Sequence, residues 1–238
     1  PKTPKPQNPK TPKPHFNKLI TNNFYSEKIM GCSASAPAKR VDPNPSHKDQ
    51  FWLEPVGQDS RIQLRDNNAT AVGQKEGRVY VAHKNVSGKT TRYWFKVNPG
   101  VNRVCDFRIG AHHLSKEYNE DTGKEEYFID DNWTVSLSNG SGVKQCYVPD
   151  KEEYMTENKN FTKVRARGED IVMVEIKGES LSIFIDDQLV QKDAFYDREL
   201  NGDNIYVVVD FEKTDGDSVH YYGYDELPLS EPDYVAPH

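Results

Sequence analysis

From about residue 49 onward, the chain is a succession of short apolar segments separated by turn residues. The segments mostly alternate or run apolar, are rich in Val, Ile, Tyr and Phe, and are bounded by Gly, Asn or Asp, which is typical of β-strands. We predict strands at 61–64, 79–82, 92–97, 105–110, 133–137, 171–176, 180–185, 205–211 and 219–222.

The turn residues between these segments also favour a β protein. Asn139-Gly140 and Asp215-Gly216 are strong hairpin dipeptides, and Asp186-Asp187 separates two apolar runs. No window has sustained helical periodicity, and the best helical candidate, 151–158, is short and polar. Many short strands joined by turns predict an all-β sandwich or barrel.

Charge divides the chain into unlike parts. Residues 1–48 contain nine Lys or Arg and two acids, a net charge of +7. Because the whole chain has a net charge of −6, residues 49–238 have a net charge of −13. We therefore predict a basic leader (1–29), a lipid anchor followed by a Pro-rich linker (30–48), a folded domain (49–227) and an extended tail (228–238). An acidic domain without clustered Lys and Arg does not favour nucleic-acid binding.

The leader repeats Lys between prolines, as P-K-T-P-K-P, a composition that favours solvated polyproline II. Three interpretations remain open: a disordered basic tail, a docking peptide, or a segment absent from the mature protein.

Residues 30–35, M-G-C-S-A-S, match the N-myristoylation pattern, provided that Met30 is the initiator. One acyl chain gives only marginal membrane binding, so Cys32 beside Gly31 is a palmitoylation candidate. This pattern predicts a cytoplasmic protein that is tethered to a membrane through Gly31 and Cys32. The six-residue match also occurs by chance, and that alternative stays open.

Five blocks along the predicted domain resemble the SPRY domain, especially the version in tripartite-motif and butyrophilin proteins. In the family's order, they are S-G-K-T-T-R-Y-W-F-K-V at 87–97, F-R-I-G-A at 107–111, N-W-T-V-S-L-S-N-G at 132–140, the strand pair within 168–184, and I-Y-V-V-V at 205–209 followed by Ser218-Val219. The acidic stretch of the family is V-E-I-K here, at 174–177.

The resemblance implies a twisted, two-sheet antiparallel β-sandwich of the concanavalin A-like type, without catalytic activity or a cofactor. Loops at one end of such a sandwich would bind a protein or peptide partner. We expect Trp94 and Trp133 to pack inside it.

Two segments longer than hairpins require, 112–131 and 143–164, would supply these loops. Both combine acids with aromatic residues, as binding patches do, and the acid excess favours a basic partner. A solvated charged loop whose tyrosines close over the sandwich end is the alternative. The candidate partner-binding residues are His112, Tyr118, Tyr127, Tyr147, Tyr154 and Phe161.

Other chemistry finds less support in the sequence. His112 and His113 would point to opposite faces of a strand, which does not favour a metal site, and Cys105 and Cys146 are expected to be inert thiols. A carbohydrate-binding lectin is the second hypothesis, because concanavalin-like sandwiches also serve that role. A glycan hydrolase is the third, with Glu175 as its one candidate acid. No run approaches the ~20 apolar residues of a membrane-spanning helix.

Overall fold

Fourteen antiparallel strands and two short 3-10 helices form the described part of the chain, which is residues 42–48, 52–56, 61–74, 76–101, 104–120, 123–212 and 216–228 of the computed structural model. The helices are Pro149–Lys151 and Arg198–Asn201. The strands are β1 (Leu53–Pro55), β2 (Ile62–Arg65), β3 (Thr70–Gly73), β4 (Gly77–Lys84), β5 (Lys89–Asn98), β6 (Phe107–Asn119), β7 (Lys124–Ser136), β8 (Ser141–Val148), β9 (Glu153–Asn160), β10 (Ile171–Lys177), β11 (Ser180–Ile185), β12 (Gln188–Tyr196), β13 (Ile205–Phe211) and β14 (Ser218–Pro228).

The strands form two seven-stranded sheets. Sheet 1 has the order β1-β4-β13-β6-β7-β8-β9, and sheet 2 has the order β12-β11-β10-β5-β14-β3-β2. All strand pairs are antiparallel, so the predicted all-β, two-sheet antiparallel sandwich is confirmed.

The core lies between the sheets and is built by alternation along the strands. In β5, Tyr93, Phe95 and Val97 are fully buried, while Trp94 and its alternate neighbours are only half-buried. Successive side chains of a strand point to opposite faces, so Trp94 lies on the outer face of sheet 2 and the prediction that it packs inside is wrong. Trp133 of β7 is fully buried in the core, as expected.

The turn between β11 and β12 is the tight one that the sequence predicts. Ile185 and Gln188 are paired, with only Asp186 and Asp187 between them, and both aspartates have positive φ (49° and 61°). Two successive positive φ values match the right-handed twist of a two-residue hairpin. The Asp186 carboxylate also accepts a hydrogen bond from the Ile171 N–H (3.0 Å).

The two segments expected to be binding loops are strands instead. Residues 112–131 form most of the β6–β7 hairpin, which is paired from Arg108 and Ser136 out to Asn119 and Lys124. Residues 143–164 contain β8, a 3-10 turn and β9, so the helical candidate at 151–158 is also a strand. These polar strands lack a continuous apolar face and are held by cross-strand hydrogen bonds. The sequence analysis also failed to predict β1, β3 and β12.

The predicted leader, the acylation pattern with Gly31 and Cys32, and most of the linker lie outside the described residues. Within the described residues, no helix has the length and apolar character needed to cross a membrane.

Candidate functional site

Tyr147 and Tyr154 lie next to each other at the edge of sheet 1 that β9 forms. They are directly opposite each other in the β8–β9 register, and their ring centroids lie 5.2 Å apart at an interplanar angle of 56°. Both side chains remain open to solvent, with 43% and 48% of their surface exposed. Directly opposed residues of an antiparallel pair share a face, which is how two residues seven apart in sequence form one aromatic pair.

This pair is attached to β7 by two hydrogen bonds. The Tyr147 N–H donates to the Asp131 carboxylate (2.8 Å), and the Tyr154 hydroxyl donates to the Ile129 carbonyl (3.4 Å). Burial raises the pKa of Asp131, even though the Tyr147 N–H works against that rise. The rings are therefore held on a three-strand support rather than on a free loop.

On the other face of β8 and β9, a cavity of about 330 Å³ opens beside Met155, which is 54% exposed. Its apolar wall consists of Cys146, Val148 and Met155. Its rim carries Lys144 and three carboxylates, Glu157, Asp197 and Glu199. We use the name β8–β9 surface for both faces of these two strands at the sheet edge: Tyr147 and Tyr154 on one face, and Met155 with the cavity on the other.

Asp197, on the rim of that cavity, is held in place by three neighbouring groups. Its carboxylate accepts hydrogen bonds from the Trp133 indole N–H (3.0 Å) and the Glu199 N–H (3.2 Å), and it pairs with Lys144 Nζ (2.6 Å). Burial works to raise the pKa of Asp197, but the hydrogen bonds from Lys144, Glu199 and Trp133 together hold it below its usual value. Asp197 thus joins the end of β12 to β7 and β8.

Both described cysteines are poor nucleophiles at neutral pH. Burial raises the pKa of Cys105 and of Cys146 to about 12, and neighbouring carboxylates act in the same direction. The thiolate is the reactive form of cysteine, so a raised pKa suppresses its reactivity. Cys146 therefore serves as a wall of the cavity.

Two more of the sequence-predicted site residues lie on the β6–β7 hairpin. Tyr118 is 65% exposed near the end of β6, opposite Glu125. Tyr127 is opposite Lys116 in the register, and its side chain is outside what the structure describes. The hairpin continues past the point where β8 pairs with β7, at Asn132 and Gln145.

The remaining two predicted residues are covered by the fold, His112 fully and Phe161 in part. His112 is 2% exposed, burial lowers its pKa to about 3, and neither ring nitrogen has a hydrogen-bond partner among the described residues. Phe161 packs against the core, edge-on to Phe195 (5.9 Å between centroids) and against the backbone at Gly142. His112 lies within β6 and Phe161 directly follows β9, and their role in partner binding stays a prediction.

His112 lines a groove of about 400 Å³ on the outer face of sheet 1, which sequence reasoning missed. The charged side chains in this groove are paired: Arg78 with Asp210 (2.9 Å) and Arg108 with Glu212 (3.4 Å). An amide pair, Asn132 with Gln145 (2.9 Å), lies on the same wall. The alternation of Arg108, Gly110 and His112 along β6 is the sequence signal that could have revealed this outward row.

No group of three or more His, Cys, Asp or Glu side chains within the described ranges could hold a metal ion. His113 pairs with Asp130 (3.0 Å), and Glu175, the one hydrolase candidate, forms an ion pair with Arg92 (2.7 Å).

Comparison with known proteins rests on the fold alone. No family model matches the sequence, and no curated protein matches it either. Among solved structures, the SPRY domain of human HERC1 is 12% identical, with a TM-score of 0.50 over 72% of this chain and 97% of that domain. The TRIM65 PSpry domain is 9% identical, with a TM-score of 0.43 over 72% of this chain and 88% of that one.

A carbohydrate binding module, CBM66 from Bacillus subtilis, is also similar. It is 8% identical, with a TM-score of 0.39 over 75% of this chain and 97% of that module. The likeness to the HERC1 domain shows that this chain has the fold of a SPRY domain, a two-sheet antiparallel β-sandwich.

Proposed function

We propose that this chain is a non-catalytic interaction module that binds a protein or peptide through the β8–β9 surface. The observation that carries this proposal is the Tyr147–Tyr154 pair, which is exposed on paired strands; Met155 is exposed on the opposite face of the same two strands. Tyr and Met are enriched in protein interfaces, where a few aromatic anchors provide most of the binding energy. A rigid support lowers the entropy cost of using them.

The charges at this surface support a basic partner. The cavity rim has three carboxylates and one ammonium group, and residues 49–238 carry a net −13. A positively charged segment would be attracted to this surface at long range, which raises its association rate. Tyr118 extends the proposed surface along the β6–β7 hairpin, and Tyr127 stays a contact predicted from the sequence alone.

The test is affinity capture with the full chain as bait and mass spectrometry as readout. Tyr147→Ala combined with Tyr154→Ala should lose the captured partner and keep the melting temperature, because both rings are outside the core. Tyr196→Ala is the control, since Tyr196 is a still more accessible tyrosine (69% exposed) on a strand of sheet 2. Retention of the partner by the double variant would refute the proposal.

Membrane tethering is a separate proposal that rests on the sequence pattern at Gly31 and Cys32. Intact mass of the protein made in eukaryotic cells should include a myristoyl group on Gly31, and Gly31→Ala should remove it and release the protein from the membrane fraction. An unmodified Gly31, or a chain that starts at residue 1, would contradict it.

Carbohydrate binding is the second candidate function, and one observation favours it. The outer groove is lined by the Asn132–Gln145 amide pair, and its charged groups are already paired. Side-chain amides have both donors and acceptors, which suits a sugar hydroxyl. Calorimetric titration with neutral hexose oligosaccharides should give heat that Asn132→Ala removes; no heat from the unaltered chain would exclude it.

A further inference from the structure

The edge strand β9 differs from the other three sheet edges. Natural sheets protect their edges with short strands, proline, bulges or charges, because an open edge pairs with any extended chain that it meets. In this sandwich the sheet edges are β1 and β9 in sheet 1 and β12 and β2 in sheet 2.

Three of the four edges have such protection. β1 has three residues and ends in Pro55, and β2 has four residues. β12 is long, but its pairing with β11 is interrupted by two register shifts, and Asp193 within it has a φ of 45°. Each of these edges therefore offers few regular hydrogen-bonding groups in a row.

β9 is neither short nor bulged and has no proline, although it carries three charged residues, Glu153, Glu157 and Lys159. It spans eight residues without proline, and all eight are paired with β8 in an unbroken register. Seven of the eight are exposed, and among the described strands only β8 pairs with it. Every second N–H and C=O of β9 therefore points outward, as a ready template for another strand.

The side chains beside this edge favour particular residues in an added strand. The inward row of β9 contains Met155 and Glu157, which line the 330 Å³ cavity together with Cys146 and Val148. A strand paired with β9 would place alternate side chains next to this row. An apolar side chain would enter the cavity beside Met155, and a basic one at the next inward position would meet Glu157 and Glu199.

We infer that β9 binds an extended, basic segment of a partner protein by strand addition, with an apolar side chain seated in the cavity beside Met155. This inference rests on the proposed function and specifies its partner and its mode of binding. A second copy of this chain fits less well, because antiparallel pairing of β9 with itself would bring two rims of net charge −2 together.

The probe is a seven-residue peptide amide, acetyl-Thr-Lys-Thr-Leu-Thr-Lys-Thr, whose Lys, Leu and Lys side chains share one face of a strand. Amide exchange of the full chain is followed by NMR. Alternate β9 amides should exchange about tenfold more slowly at a peptide concentration ten times its Kd, because a bound strand protects them in proportion to its occupancy. The same peptide with Glu for Lys, and one with N-methylated amides, should give no protection.

A matched pair of variants tests the position. Met155→Lys replaces the apolar wall of the cavity by a cation that repels the lysines of the peptide, and should abolish the slowing. Leu189→Lys makes the same change at an equally exposed apolar residue (49%) of β12 and should leave it intact.

Several outcomes would overturn the inference. The first two are the absence of slowed amide exchange in β9 and equal protection by the N-methylated peptide. The third is protection of β9 that rises with protein concentration in the absence of peptide, which would indicate a dimer of this chain. None of these bears on the Tyr147 and Tyr154 capture experiment, so the proposed function can stand when strand addition fails.

Discussion

Asp197 is the residue on which most of the local order of the β8–β9 surface depends. It accepts hydrogen bonds from Trp133 and Glu199 and pairs with Lys144. Asp197→Ala should lower the free energy of unfolding by about 1.5–3 kcal/mol, because the charged acceptor is lost and the Trp133 N–H is left without a partner. Urea unfolding measures it, with the exposed Asp150→Ala as control. A loss no larger than that of the control would contradict the role.

The same residue predicts a pH dependence. The folded pKa of Asp197 is below its ordinary value of 3.8, so its contribution is present above that pH and is lost as the pH falls through the lowered value. Melting curves should therefore show a smaller acid loss in Asp197→Asn than in the unaltered chain. The hydrogen bond from Lys89 also lowers the pKa of Glu226, so Glu226 contributes to the acid loss in both proteins. Only the difference in acid loss between the two proteins reports on Asp197.

At the scale of the element, the β11–β12 turn holds removable strain. Asp187 has a φ of 61° and its side chain accepts no hydrogen bond from any described residue, whereas Asp186 accepts one from Ile171. Asp187→Gly should raise the free energy of unfolding by about 1 kcal/mol, because glycine adopts positive φ without steric cost. Gly178→Ala, at a φ of 55° in the β10–β11 turn with open space around it, should do the reverse. Differential scanning calorimetry measures both, and no gain from Asp187→Gly would refute the strain.

The elements also indicate where sequence reasoning succeeds. β5, β10, β11 and β13 were predictable because one face of each lines the core and gives an alternating or apolar pattern. β9 and most of β12 are exposed, so neither has an apolar face to reveal it. The tyrosines of the site could be picked out from the sequence, but their pairing could not, because it depends on the register of β8 with β9.

At the scale of the whole molecule, the core and the proposed binding surface should be separable. Gly110 lies where β6 meets β7, and a Cβ there would be 2.0 Å from the Trp133 carbonyl oxygen, so Gly110→Ala must displace backbone. It should cost about 1–3 kcal/mol or more, as overpacking does. Gly168→Ala, whose Cβ would be 3.4 Å from Pro99, is the tolerated control.

Thermal unfolding and partner capture should then respond in opposite ways to the two kinds of change. Gly110→Ala should lower the melting temperature and, at temperatures where the variant is still folded, retain the partner, because Tyr147, Tyr154 and Met155 are untouched. The Tyr147 and Tyr154 double variant should keep the melting temperature and lose the partner. If Gly110→Ala left the melting temperature unchanged, the close approach of β6 and β7 would be disproved. Loss of both properties in the tyrosine variant would mean that these rings support the fold, not a partner.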